Sequence, residues 1–212
     1  MMIKVCGMRD IENINQLQEL DIDFMGIIRY SKSKRFVDDS QKEKVAQQTM
    51  NKGTVGVYVN ESLENILKDI IPLQLDVIQL HGDEDSAFAK ALLEIDIKIF
   101  KAFQISDDFD FNSLKEWEEL AAQYVGKLFF LFDTATPNYG GSGKKFNWSV
   151  LDSYKGEVPF LLSGGISKDD VAIVKEFKHN MFLGIDLNSK FENEPGLKNI
   201  EEIKTFIEKL RK

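Results

Sequence analysis

The sequence predicts an α/β protein built as a single-domain, parallel, eight-stranded (β/α)8 barrel, the TIM-barrel architecture. Short apolar runs rich in β-branched and aromatic residues alternate with segments of helical period from one terminus to the other, which indicates βα units around a parallel sheet. No low-complexity segment, linker or block of charge divides the 212 residues, so we predict one domain, residues 1–212. Eight strands favour a closed barrel over an open doubly wound sheet, which more often has about six.

Eight apolar runs are predicted as strands. Most of them are nearly continuous rather than alternating, as is typical of strands that are covered on both faces. The predicted strands are residues 2–6, 24–28, 54–59, 76–80, 98–103, 128–132, 160–162 and 181–185.

Helical period marks the segments between these runs. One stripe, at positions i, i+3, i+4, i+7 and i+8, is formed by Leu63, Ile66, Leu67, Ile70 and Ile71. A second consists of Ile200, Ile203, Phe206, Ile207 and Leu210. Asn60 is predicted to begin the first of these helices, and Ser167 with Asp170 forms a capping-box-like pair before another.

Composition excludes several classes of function. The 27 basic and 35 acidic residues leave a net charge of −8, which argues against a nucleic-acid partner. The single cysteine and two histidines exclude a disulfide framework, a zinc site of several thiolates and a site of three histidines. No apolar run approaches the ~18 residues of a membrane span. We therefore expect a cytoplasmic protein without a membrane partner.

The active site of a (β/α)8 barrel lies at the C-terminal ends of the strands, and polar and glycine residues cluster there in this chain. The candidates are Cys6, Arg35, His81, Asp133, Gly164, Gly165, Asp186, Asn188 and Ser189. The glycine run 140–143 has neither dinucleotide-binding nor P-loop spacing. It indicates a flexible loop or a lid over residues 134–145 that orders when ligand binds.

Each candidate also has an ordinary structural explanation. Cys6 resembles a small core residue, although its place at a strand end favours chemistry. Asp133 could cap a loop, or serve as an acid whose proton is retained because Phe132 borders it. The arginines Arg29 and Arg35 would by default be solvated surface charges. The remaining alternatives are a turn at Asp186, tight turns at the glycines, and a hydrogen-bonded neutral histidine at His81.

The motifs at these strand ends resemble those of the phosphoribosylanthranilate isomerases, in order and over nearly the whole chain. The longest motif, which follows the sixth predicted strand, joins Asp133 to Tyr-Gly-Gly-Ser-Gly and Phe-x-Trp. The matching segments are Lys4-Val5-Cys6-Gly7, Ser33-Lys34-Arg35, Gln79 to Gly82, Asp133 with Tyr139 to Gly143 and Phe146-Asn147-Trp148, and Leu162 to Gly165. Departures occur at Met8-Arg9, at Arg29 and in the eighth loop, where Lys190 stands in place of the family's glycine.

The resemblance implies isomerisation of N-(5-phosphoribosyl)anthranilate to 1-(2-carboxyphenylamino)-1-deoxyribulose 5-phosphate, an Amadori rearrangement in tryptophan biosynthesis that needs no cofactor or metal. Asp133 is the implied acid and Cys6 the implied base. The implied substrate contacts are Arg35, His81, Gly141 and Asp186, and the implied phosphate contacts are Gly164, Gly165, Asn188 and Ser189.

Two alternatives remain open at this point. One is another phosphoribosyl-substrate barrel enzyme, such as indole-glycerol-phosphate synthase or a histidine-pathway isomerase. The other is a catalytically silent barrel that binds only a phosphate or a partner protein. The expected partner is a small phosphorylated substrate, and we expect a monomer, with a homodimer as the alternative.

Overall fold

The computed structural model describes residues 1–48, 51–135 and 146–212. Eight parallel strands follow one another around a closed barrel, in which β8 pairs with β1. The predicted (β/α)8 barrel is therefore confirmed. Its strands are β1 (Met2–Cys6), β2 (Phe24–Ile28), β3 (Gly53–Tyr58), β4 (Val77–Leu80), β5 (Lys98–Ile105), β6 (Leu128–Thr134), β7 (Phe160–Leu162) and β8 (Phe182–Leu187).

Helices surround the barrel. The two predicted helical stripes fall on α3 and α7, in which Ile66 and Ile203 are fully buried. The first stripe is wrong in part, because Leu67 and Ile71 are exposed and Ile71 lies beyond the end of α3. The α-helices are α1 (Ile11–Leu17), α2 (Lys42–Gln48), α3 (Leu63–Ile70), α4 (Ser86–Leu93), α5 (Lys115–Gln123), α6 (Val171–Glu176) and α7 (Ile200–Arg211). None of the helices in the described ranges is long and apolar enough to cross a membrane.

Several short elements complete the described part of the chain. The segment after β6, which was expected to be helical, contains the 3-10 helix Trp148–Ser153. After β8, an antiparallel hairpin that the sequence did not predict is formed by β9 (Glu192–Glu194) and β10 (Leu197–Lys198).

The apolar runs are buried on both faces because each strand faces two hydrophobic clusters. Alternate residues such as Val55 and Leu131 fill the barrel interior, whereas Phe130 and Phe132 pack in the layer between strands and helices. This alternation follows from the period of two along a strand. It sends Asp133, two residues beyond Leu131, toward the interior at the C-terminal end of the barrel.

Several predicted boundaries differ from the structure by one or two residues, and three of these differences concern polar residues. Asp133 and Asp186, predicted to open loops, lie within β6 and β8 because strand pairing continues past the apolar runs. The N-cap of α3 is Ser62 rather than Asn60. Asn60 instead adopts a left-handed conformation with φ 51° and hydrogen-bonds Glu84. The strand pairs and the Asn60–Glu84 hydrogen bond join residues that are distant in sequence, so the local sequence pattern could not reveal them.

The capping box at Ser167 is confirmed. The backbone N–H of Ser167 donates to the Asp170 carboxylate at 2.7 Å, and the reciprocal bond from the N3 backbone to the Ser167 side chain is also present. Ser167 thus begins the 3-10 helix Lys168–Asp170, which leads directly into α6.

Closure of the barrel depends on Gly184. Its direct partner across the β1–β8 pair is Met2, and a Cβ at this position would overlap the Met2 backbone carbonyl. A bulge between β7 and β8 shifts the register next to this glycine. Because the same β1–β8 register sets Lys4 opposite Asp186, Gly184 also determines which side chains meet inside the barrel.

We predict that Gly184→Ala lowers the free energy of unfolding by about 3 kcal/mol, because backbone cannot move away from the added methyl without breaking β1–β8 pairing. Urea denaturation measures the change. The matched control is Gly126→Ala, where a Cβ would meet no described atom within 4 Å but φ is +74°, so that backbone strain of about 1 kcal/mol is expected. Equal losses in the two variants would contradict this account of closure.

Candidate active site

A cavity of about 440 Å³ opens at the C-terminal ends of the barrel strands. Ligand cavities of (β/α)8 barrels lie at this end. The structure brings nine predicted site residues together there: Cys6, Arg35, His81, Asp133, Gly164, Gly165, Asp186, Asn188 and Ser189. Gly141 and most of the predicted lid, residues 136–145, lie outside the described residues.

Cys6 lies at the end of β1 and is 4% exposed at the cavity wall. Gly26 on the neighbouring strand makes room for its thiol, since a Cβ there would lie 2.8 Å from Sγ. Gly7 then turns the chain away with a φ of +81°, a conformation that favours glycine. Burial raises the pKa of the Cys6 thiol, and the ammonium groups of Lys4 and Lys198 oppose this rise.

Lys4 is a site residue that the sequence reasoning missed. It is fully buried, and its Nζ donates to Asp186 Oδ1 at 2.9 Å. Burial alone would lower the pKa of this ammonium, but Asp186 and Cys6 hold the pKa of Lys4 above its ordinary value. The available signal was spacing, because Lys4 and Cys6 are two residues apart on β1 and share a face.

Asp133 belongs to a short chain of polar groups. One carboxylate oxygen accepts the backbone N–H of Thr134 at 2.8 Å, and the other lies 3.3 Å from Nε2 of His81. The Gln79 amide nitrogen lies 2.7 Å from Nδ1 of His81, so in the neutral ring Nδ1 accepts and Nε2–H faces Asp133. The expected contact with Phe132 is wrong, because Phe132 belongs to the outer layer.

Arg35 lines the cavity, but it is paired with a carboxylate of the protein rather than solvated at the surface. Its Nε and Nη2 donate to the Glu192 carboxylate at 2.8 and 2.6 Å. Lys198 donates to the same carboxylate at 2.6 Å and to Asn188 Oδ1 at 2.8 Å. Burial would raise the pKa of Glu192, but these two cations outweigh burial and hold the pKa below its ordinary value.

Glu192 and Lys198, like Lys4, are site residues that the sequence pattern did not indicate. Both lie in the hairpin β9–β10, and their relation to Arg35 spans 157 residues of chain in the case of Glu192. A single sequence contains no signal for such a pairing. The consequence is that any further anion on Arg35 must use the edge of the guanidinium that includes Nη1.

The predicted phosphate loops converge on one side of the cavity. Gly164 and Gly165 have φ values of +91° and +68°, and a Cβ on Gly164 would lie 2.8 Å from Asp133 Oδ1. Ser189 begins the 3-10 helix Ser189–Phe191. Lys190 is exposed and lines the cavity beside it. Small residues here allow a ligand to approach the backbone closely.

The prediction that Arg29 is a solvated surface charge is wrong. Its side chain is 10% exposed and forms ion pairs with Asp69 at 2.7 Å and Asp39 at 2.6 Å. The guanidinium also donates to the Val37 carbonyl. Arg29 therefore ties the loop after β2 to α3 and takes no part in the cavity lining. Within the described ranges, no three His, Cys, Asp or Glu side chains are arranged to hold a metal ion.

We predict that Glu192→Ala lowers the free energy of unfolding by about 3 to 5 kcal/mol, because it leaves the buried Lys198 and the partly buried Arg35 without their shared anion. Chemical denaturation at pH 7 measures the loss. Glu194→Ala, an exposed carboxylate on the same strand, is the matched control and should change stability by less than about 0.5 kcal/mol.

The pH dependence of stability gives the same prediction a second check. The folded pKa of Glu192 lies below its unfolded value, so its contribution is complete above the unfolded pKa of about 4.3 and is lost as pH falls through the folded pKa. Glu192→Gln should lack this part of the acid-induced loss. Identical acid profiles for Glu192→Gln and the wild type would contradict the ionised cluster.

Comparison with known proteins places this chain in a family. The model of the N-(5'-phosphoribosyl)anthranilate (PRA) isomerase family matches residues 3–209. A PRA isomerase of Parabacteroides distasonis is 43% identical over 213 residues, which cover 99% of this chain and 93% of the relative.

Solved structures agree. Monomers of the dimeric phosphoribosylanthranilate isomerase of Thermotoga maritima superpose with a TM-score of 0.82 at 26% identity, covering 99% of this chain and 98% of that one. A phosphoribosyl anthranilate isomerase in complex with reduced 1-(o-carboxyphenylamino)-1-deoxyribulose 5-phosphate gives a TM-score of 0.77 at 26% identity, with coverage of 99% and 98%. By the family match and the full-length relative, this chain belongs to the PRA isomerase family.

Proposed function

We propose that the chain isomerises N-(5-phosphoribosyl)anthranilate to 1-(2-carboxyphenylamino)-1-deoxyribulose 5-phosphate, with Asp133 as general acid and Cys6 as general base. The observation that carries this proposal is that a thiol and a carboxylate, on strands β1 and β6, line one cavity from different sides of the barrel. An aldose–ketose rearrangement of this kind needs one proton donor and one proton acceptor on either side of a sugar.

The reaction follows from two proton transfers. Asp133 protonates the furanose ring oxygen, and the C1–O bond breaks to give an open-chain Schiff base. Cys6, as the thiolate, then removes the proton from C2, and the electron pair moves into an enolamine that tautomerises to the ketone. The Nε2–H of His81, 3.3 Å from the Asp133 carboxylate, stabilises the anion that remains after Asp133 has donated its proton.

The rest of the cavity supplies positions for the substrate's charged ends. Arg35 binds the anthranilate carboxylate through the guanidinium edge that Glu192 leaves open. His81 and Asp186 border the sugar between the acid and the base. The loops at Gly164–Gly165 and Asn188–Ser189 bind the phosphate. The related enzyme that was solved with a reduced deoxyribulose phosphate supports a ligand of this class.

We propose that a monomer is active, because the proposed acid, base and phosphate contacts gather in one cavity of a single barrel. Size-exclusion chromatography with an activity assay tests this. The proposed base requires a reduced thiol, which favours the cytoplasm as the compartment.

Cys6→Ala and Asp133→Asn are each expected to lower kcat by at least ~10²-fold, because each removes a proton transfer, while binding of a phosphate-containing product analogue is retained. The assay follows loss of the substrate's anthranilate fluorescence, with substrate generated in the same cuvette by a phosphoribosyltransferase. Asp107→Asn, an exposed carboxylate, is the control and should retain wild-type kcat. Wild-type kcat in either site variant, with chemistry limiting, would remove that residue from the mechanism.

Absence of any turnover by the wild type would end the isomerase proposal itself. Binding of the product analogue without turnover would then favour a silent phosphate-binding barrel. Turnover of a different phosphoribosyl substrate in place of the anthranilate compound would favour one of the other barrel enzymes.

Lys190→Ala is expected to raise KM severalfold at low ionic strength, with the difference shrinking as salt is added and kcat nearly unchanged. The ammonium lies at the rim of the cavity, where a charge contributes about 1 kcal/mol or less and is screened by salt. Loss of binding remote from the reacting carbons appears in KM. Initial rates at two salt concentrations measure the effect, and an unchanged KM at low salt would dismiss the contact.

A further inference from the structure

We propose that Lys4 is a positioning residue that serves as the shared counter-ion of Cys6 and Asp186, so that the Cys6 thiolate forms by passing its proton to Asp186. This inference rests on the proposed role of Cys6 as the base. It adds to that role the means by which a buried thiol becomes able to act.

The barrel geometry brings the three groups together. Lys4 and Asp186 are direct partners in the β1–β8 register, and Nζ lies 2.9 Å from Oδ1 with side-chain exposures of 0% and 4%. Cys6, two residues after Lys4 on the same strand, directs its side chain to the same side. The Lys4 ammonium and the Cys6 thiol also interact electrostatically, which raises the pKa of Lys4 and opposes the effect of burial on the pKa of Cys6. One ammonium therefore acts on two acidic groups.

Lys4 differs from Cys6 and Asp186 because a ligand in the cavity cannot reach its side chain. Cys6 and Asp186 both line the cavity, whereas Lys4 is absent from the described lining and is fully buried beneath it. A substrate in the cavity can touch the thiol and the carboxylate but not the ammonium. For this reason Lys4 acts on the reaction only through its neighbours.

Charge balance links the two acidic groups. In a medium of low dielectric constant, one buried cation stabilises one anion well, and a second anion beside it is costly. In the resting site, Asp186 is the anion and Cys6 is a neutral thiol. When the S–H bond breaks and the proton binds a carboxylate oxygen of Asp186, the thiolate replaces the carboxylate as the partner of Lys4. No net charge is created by this exchange.

Burial raises the pKa of Asp186, which makes its carboxylate a better proton acceptor than an exposed one. Burial also raises the pKa of the donor thiol, and the ammonium of Lys4 opposes that rise. The remaining charges around the thiol come from other elements. Lys198 on β10 and Arg35 after β2 also face Cys6, but both are paired with Glu192. Asp133 and His81 face Asp186 from the acid side of the cavity.

The test titrates the thiol in the folded protein. Because Cys6 is the single cysteine of the chain, the rate of alkylation by iodoacetamide, followed by intact mass as a function of pH, reports on this group alone. Lys4→Met should move the midpoint to higher pH, since it removes the counter-ion of the thiolate. Asp186→Asn should move it to lower pH, since Lys4 then has no competing anion. We expect shifts of about one pH unit or more in each direction.

The double variant Lys4→Met with Asp186→Asn is the matched control and should have a midpoint between those of the single variants. If Lys4→Met alone fails to fold, the comparison is made between Asp186→Asn and the double variant, and the higher midpoint should belong to the double variant. Equal midpoints in that comparison, or single variants that shift in the same direction, would overturn the proposal. A loss of packing alone would not produce shifts of opposite sign.

The alkylation experiment is read without turnover, so its failure is separate from failure of the proposed function. An active Cys6→Ala variant would remove the base role and leave the titration result standing. An inactive Cys6→Ala variant together with unshifted titration curves would retain the base and dismiss Lys4 as its counter-ion.

Discussion

A buried ion pair between Lys4 and Asp186 joins the first strand to the last, at the place where the barrel closes. Removing two charges from water is costly, and the cost is offset only when the partners meet with good geometry. Gly184 provides that geometry, because without a Cβ the backbones of β1 and β8 can approach in the required register. The site chemistry depends on this closure, since Cys6 and Asp186 reach the cavity from these two strands.

A second charged cluster organises the mouth of the barrel above this pair. Glu192 binds Arg35 and Lys198, and so connects the loop after β2 to the hairpin that follows β8. The interior below is apolar, filled by residues such as Val57 and Leu161. The barrel therefore changes from a packed core at its lower levels to a set of paired charges at its C-terminal end, where water and a ligand can enter.

The acid and base sides of the cavity are held by different means. On the acid side, side-chain hydrogen bonds and contacts dominate, because Gln79 orients His81 and His81 faces Asp133. On the base side, full charges dominate, with Lys4, Lys198 and Arg35 around a single thiol. A carboxylate and a thiol placed in such different surroundings can perform opposite proton transfers in one cavity. The barrel fold thus positions the reacting groups, whereas the residues at the strand ends determine the chemistry.

The barrel could be predicted from the sequence, because the alternation of buried strands and amphipathic helices is a local pattern. The positions of Cys6 and Asp133 near strand ends could be predicted for the same reason. Which charged side chains form ion pairs with one another could not be predicted from the sequence. Lys4 with Asp186 and Arg35 with Glu192 are pairs separated by 182 and 157 residues, and only closure of the barrel and folding of the β9–β10 hairpin bring them together. Burial and pairing arise from contacts across the fold, so the partner of each charged group and the direction of its pKa shift depend on the tertiary structure.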